Sequence, residues 1–289
     1  MPEPDLHKAQ PWADLDARSF KTRTPCGEGE MIWRSWGDGE RTLVFLHGGA
    51  GSWLHWIRTI PAFAATDRVV APDLPGLGGS ALPPSGAGGA DVARIVAAGL
   101  DAVIGKDTSC DLVGFSFGGV IAGLVASIRR HVRSLTLVGS GGLGVIRRAN
   151  PLQRVRDKTG AARDEAHRAN LLAWMIADPA RIDPLAVAVQ DWNSRHARFD
   201  SRPTGISGLL LPALPQVDAP IVGIWGARDH ALQGEPHRAE AALRAVRPDT
   251  DFRVIADGGH WVAYEAPEAF AQALRETGST SEHLRRKSG

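Results

Sequence analysis

Asp111-Leu112-Val113-Gly114-Phe115-Ser116-Phe117-Gly118-Gly119-Val120 joins an apolar, β-forming run to a run rich in glycine and alanine. The junction reads G-x-S-x-G. A serine in a sharp strand-to-helix turn is lifted above a sheet with its hydroxyl free. Such a turn crowds the backbone and pushes the serine into an unfavourable φ/ψ region, which accounts for the small residues on both sides. The bare motif arises often by chance. Here a His-Gly loop precedes it, an Asp and a His follow it, and a strand and a helix flank it.

Away from this turn, strand and helix patterns alternate. EMIWRSWGDGERTLVFLHGG reads as two strands about a Gly-Asp-Gly turn, WLHWIRTIPAFAA as a helix, and DRVVAPDLPGLGGS as a strand entering a Pro/Gly turn. DVARIVAAGLDAVIG predicts a helix capped by Asp91. The helix after Ser116 runs to Arg130, and the strand VRSLTLVGS follows. PIVGIWG, PHRAEAALRAV, DFRVIAD and APEAFAQALRE then read as strand, helix, strand and helix. Continuous Val/Ile/Leu strands mark a mostly parallel sheet covered on both faces. The rhythm breaks between about 143 and 215, where LQRVRDKTG, ARDEAHRANLLAWMIADP and PLAVAVQDWNSRHARF are helical in pattern. We therefore expect an α/β fold with a core of residues 1–142 and 216–289 and a helical cap over 143–215.

The 289 residues suffice for one large α/β domain with an insertion. Lys+Arg 33 and Asp+Glu 32 nearly cancel, which argues against nucleic acid or a membrane surface as partner. No apolar run is long enough to span a bilayer, and MPEPDLHKAQPWADLDARSF lacks the apolar centre of a secretion signal. The expectation is a cytoplasmic protein acting on a small molecule. Of the two cysteines, Cys26 and Cys110, the second abuts a buried strand and reads as a reduced core thiol. Residues 1–18 read as a loose leader and GSTSEHLRRKSG as a frayed tail.

A serine hydroxyl attacks only when a base takes its proton, and the base needs an orienting carboxylate. The chain offers these in the order Ser116, Asp229, His260. Asp229 lies in GARDH after PIVGIWG, and His260 in DGGHW after DFRVIAD. Both positions follow strands, where sites form in parallel sheets. Asp257, three residues before His260, is the rival carboxylate, and Asp73 a remoter one. His55, His167, His196 and His237 read as packing or surface residues. No histidine has metal-ligand spacing, so neither metal nor cofactor is expected. The negative oxygen formed by attack on a carbonyl needs preorganised N–H donors. Phe117 N–H, just after the serine, and Gly49 N–H, in the loop His47-Gly48-Gly49, are the candidates.

These motifs together (HGG, DLPGLGGS, GFSFGG, GARD and GGHW) resemble the α/β-hydrolase superfamily over nearly the whole chain. Within it the pattern is most similar to meta-cleavage-product hydrolases, which cut a carbon–carbon bond in ring-fission products. Gly141-Gly142-Leu143-Gly144, Arg195 in NSRHARF and Trp261 carry that likeness. The resemblance implies that Arg195 binds a substrate carboxylate and Trp261 walls the pocket; Gly48 and Phe115 are further substrate-binding candidates, Phe115 as part of an aromatic lining. A solvated helix arginine is the other reading of Arg195. The resemblance also allows a homodimer, although no stretch of the chain signals an interface. Three positions depart from the family. Phe115 stands where an asparagine is usual, Gly49-Ala50-Gly51-Ser52 replaces a longer S-G-P-G-A loop, and Gly258 replaces a cysteine. Each change removes a polar contact and favours a more apolar ligand. The expected function is a cofactor-independent serine hydrolase of a small to medium, partly apolar ester or lactone. The alternatives are a C–C bond hydrolase of a 2-hydroxy-6-oxo-dienoate and a ligand-binding receptor on a hydrolase scaffold.

Overall fold

The structure, a computed structural model, describes residues 10–146 and 151–287, with side chains through 277. Its strands in chain order are β1 (Phe20–Cys26), β2 (Gly29–Trp36), β3 (Thr42–Leu46), β4 (Arg68–Pro72), β5 (Cys110–Phe115), β6 (Val132–Val138), β7 (Ile221–Gly226) and β8 (Asp251–Ile255). They form one sheet in the order β1-β2-β4-β3-β5-β6-β7-β8. β1 with β2 and β2 with β4 pair antiparallel, and all other neighbours are parallel. This is the α/β-hydrolase fold that the motifs imply.

Alternation along each strand divides the core in two. Val44, Leu46, Leu112, Leu135 and Leu137 face one apolar layer. Leu43, Phe45, Val113, Phe115 and Val138 face the other. Every residue of β3, β5 and β7 is buried, as expected of central parallel strands covered on both sides. The edge strands β1 and β8 are largely exposed or half-buried. β1 did not stand out in the sequence because its residues, FKTRTPC, are mostly polar and include a proline that only an edge tolerates.

The helices are α1 (Ala13–Ala17), α2 (Ile60–Ala64), α3 (Gly89–Ile104), α4 (Phe117–Ile128), α5 (Gly160–Trp174), α6 (Pro184–His196), α7 (Arg202–Ile206), α8 (His237–Val246), α9 (Val262–Glu265) and α10 (Pro267–Lys287). Several expectations need correction. Asp91 stands two residues inside α3, and its carboxylate accepts the Gly88 N–H at 2.9 Å from there. The stretch WLHWIRTIPAFAA splits into a 3-10 turn, Trp53–Trp56, and α2, because Pro61 belongs in a first helical turn. Residues 13–17 are helical rather than loose, with Trp12 and Leu15 buried. α10 continues to Lys287 through most of the expected frayed tail. LQRVRDKTG is not helical before Gly160. Among the described residues no strand occurs between Val138 and Ile221, where α5, α6 and α7 lie. Cys26 and Cys110 are both free and buried.

Candidate active site

Three strand ends bring together the residues that the motifs single out. Ser116 follows β5 directly, with φ 52° and ψ −115°, a conformation costly for a residue with a side chain. The turn is held by Ser116 N–H donating to Val138 O and by Ser116 O accepting from Gly119, Val120 and Gly141. Only glycine fits at two neighbours. A Cβ on Gly114 would overlap Gly118 O, and one on Gly118 would overlap Leu46 O. The G-x-S-x-G pattern is thus a packing requirement of the turn.

His260 Nε2 lies 3.1 Å from Ser116 Oγ. On the other side of the ring, Nδ1 lies 3.0 Å from each carboxylate oxygen of Asp229. A carboxylate there requires Nδ1 to carry the proton, leaving Nε2 as the lone-pair nitrogen facing the serine. Asp229 is fully buried, and its Oδ1 also accepts the Ala231 N–H at 2.8 Å. Neither rival carboxylate pairs with His260. Asp257 is exposed, and its carbonyl accepts from Arg228. Asp73 is buried, accepts the N–H groups of Trp53 and Gly79, and pairs with Arg34. Its task is to tie the loop after β4 to the turn after β3.

The loop after β3 lies against the start of α4. A Cβ built on Gly49 would be 3.7 Å from Phe117 Cβ. Among the described residues, neither the Gly49 nor the Phe117 N–H has a hydrogen-bond acceptor. Gly48 differs. Its N–H donates to His55 Nδ1 at 3.2 Å, and a Cβ there would press on the Phe115 ring.

The histidines of this loop are held neutral. Burial pushes His47 down to about 4, against the pull of Asp73 and the Gly48 carbonyl. Its ring bridges Gly48 O and Leu74 N–H. Burial, reinforced by His47 and His260, also holds His55 well below its ordinary value. His55 is a missed element of the site. Its ring meets Phe115 and Trp261 edge-on at 5.4 and 5.1 Å, and nothing in its sequence neighbourhood separates it from a packing histidine.

Phe115 and Trp174 flank the His260 ring at 5.0 and 5.7 Å. Trp261, expected to wall the pocket, is instead wholly buried. Its Nε1 donates to His55 O, and its ring stacks on Tyr264 at 4.1 Å. Arg195 is likewise not gathered into this cluster. Its side chain is 56% exposed and pairs with Asp191 one turn back on α6. That is the solvated helix arginine of the two readings.

The helical segment contributes further contacts that sequence reasoning missed. Ser52 donates to Asn193 of α6 at 2.7 Å. Arg58 pairs with Asp183, which also accepts from Tyr264 OH at 2.5 Å. Buried Glu265 accepts the N–H groups of Ala177, Asp178 and Gly259, the last one residue before His260. Ser201 lies directly over Gly49. Each joins residues far apart in the chain, and no local spacing announces them.

The model of the alpha/beta hydrolase family matches residues 43–273. The 2-hydroxy-6-oxononadienedioate/2-hydroxy-6-oxononatrienedioate hydrolase of Klebsiella pneumoniae is 30% identical over 271 residues, covering 82% of this chain and 87% of that protein. The dihydrolipoyllysine-residue acetyltransferase component of the acetoin cleaving system of Pseudomonas putida is 28% identical over 260 residues. That match covers 82% of this chain but spans only 63% of the relative's length. Among solved structures, a bacterial membrane phospholipase A described as a virulence factor superposes with a TM-score of 0.74 at 25% identity, over 92% of this chain and 87% of that one.

Proposed function

The chain belongs to the alpha/beta hydrolase family, and from that premise we propose that it is a serine hydrolase needing no cofactor, with Ser116 as nucleophile, His260 as base and Asp229 as its orienting carboxylate. The observation that carries this is the continuous line Asp229–His260–Ser116, at 3.0 and 3.1 Å, under a serine at positive φ. Ser116 Oγ attacks the substrate carbonyl as Nε2 takes its proton. The imidazolium so formed is stabilised by Asp229. The N–H groups of Gly49 and Phe117 receive the developing oxyanion. The tetrahedral intermediate collapses as His260 returns the proton to the leaving alcohol. Water, activated by the same base, then releases the acid. The helical segment over 143–215 acts as a cap, with Trp174 against the base.

The substrate we favour is a small to medium ester or lactone with an apolar body. Phe115 beside His260 supports this, as does the placement of Arg195, which is more than half exposed and paired with Asp191 rather than gathered around His260. A second reading, carbon–carbon cleavage of a 2-hydroxy-6-oxo-dienoate, is favoured by the Klebsiella relative. The test compares 4-nitrophenyl butyrate with a chromogenic dienoate, using wild type and Ser116→Ala. Release of nitrophenol that is lost in the variant supports the ester reading. Rapid bleaching of the dienoate moves the assignment to the second. Equal rates for wild type and variant on either compound contradict both.

A further inference from the structure

We propose that Ser201, contributed by the helical segment, is a further catalytic residue whose hydroxyl donates a third hydrogen bond to the oxyanion. The inference rests on the reading of Ser116 as nucleophile and of Gly49 and Phe117 as oxyanion donors. Four observations carry it. Ser201 is 7% exposed. A Cβ on Gly49 would overlap Ser201 Oγ at 2.3 Å and would lie 3.7 Å from Phe117 Cβ, so the hydroxyl sits against Gly49, on the side of that residue that Phe117 borders. Ser201 makes no side-chain cap to α7, and among the described residues its hydroxyl has no partner. A hydroxyl with no partner in the protein is free to donate to a bound ligand.

The fourth observation is that the backbone leading to this serine is held in place. The residues just before it are fastened to the core loop after β4. Arg198 and Phe199 both donate their N–H groups to Gly76 O, at 2.9 and 3.1 Å. The Arg198 guanidinium donates to Gly78 O and Ser80 O. The Phe199 ring packs on Phe117 at 6.1 Å. A donor carried on backbone already in place needs only rotation of its hydroxyl when charge appears, which favours oxyanion stabilisation. Serine is suited to the place because its hydroxyl rotates to donate towards the oxyanion.

The proposal is tested with Ser201→Ala and Ser201→Cys on 4-nitrophenyl butyrate, resolving kcat from KM, with fluorophosphonate labelling of Ser116 as a parallel readout. A donor used only in the transition state lowers kcat and leaves KM nearly unchanged. We expect kcat to fall roughly tenfold to hundredfold in both variants, with Ser116 still labelled. The swap Gly49→Ser with Ser201→Gly places a hydroxyl in the same space from the opposite side and is expected to recover kcat over Ser201→Gly alone. Wild type labelled at Ser116 with kcat of both variants within about twofold of it overturns the proposal alone. A change confined to KM also overturns it. Wild type that hydrolyses the ester while unlabelled at Ser116 overturns the parent reading and this one together.

Discussion

In the proposed triad His260 serves as base only in the tautomer with its proton on Nδ1, the tautomer that both carboxylate oxygens of Asp229, each 3.0 Å away, favour. Asp229→Asn offers an amide that favours the opposite tautomer. We expect it to lower kcat by roughly 10³- to 10⁴-fold with little change in thermal midpoint, read from ester kinetics and a melting curve side by side. Ser116, Asp229 and His260 were legible in the sequence because each follows a strand by only a few residues, so local pattern fixed their place in space. Asp257 also follows a strand closely, and only the fold shows that its carboxylate is turned out to solvent while Asp229 is buried. Arg195 and Trp261 were read from resemblance rather than from local chemistry. Both are satisfied by neighbours, Asp191 and the His55 carbonyl, that a single sequence does not reveal.

The segment between β6 and β7 was recognisable by what it lacks, a β-period, and by its helix-forming residues. How it attaches to the sheet was not recognisable. Glu265 fastens residues 177 and 178 to Gly259, a separation of more than eighty residues. Glu265→Ala leaves three N–H groups without this acceptor, that of Gly259 buried and those of Ala177 and Asp178 half-buried. At about 1 kcal/mol or more for each orphaned donor, we expect a loss of about 3 kcal/mol in a urea titration and a fall in kcat as Gly259 releases His260. Glu265→Gln, which keeps one acceptor oxygen, is expected to lose less. An unchanged unfolding midpoint for Glu265→Ala would show that water replaces the carboxylate at no cost. Pairing of Asp183 with Arg58 and Tyr264 is a second attachment, at the start of α6. Tyr264→Phe removes one of its bonds, and we expect it to cost about 1 kcal/mol by the same titration.

The buried neutral histidines make the stability of the protein as a whole depend on pH. His47 takes up a proton at about 4 when folded and near 6.5 when unfolded, and His55 is lowered too. Below the unfolded value the unfolded chain binds more protons, so stability is full above pH ~6.5 and is lost as pH falls towards 4. His47 alone contributes about 3 kcal/mol to that loss. Thermal midpoints between pH 7.5 and 4.5 should therefore decline on the acid side, and a flat profile would refute neutral burial of these rings. The account as a whole turns on covalent catalysis by Ser116. The direct measurement is peptide mapping after fluorophosphonate treatment, with ester turnover followed in the same samples for wild type and Ser116→Ala. We predict one adduct, on Ser116, forming in step with loss of turnover, and neither adduct nor turnover in the variant. Wild-type turnover that survives without an adduct on Ser116, or a Ser116→Ala variant that hydrolyses the ester at the wild-type rate, would contradict it.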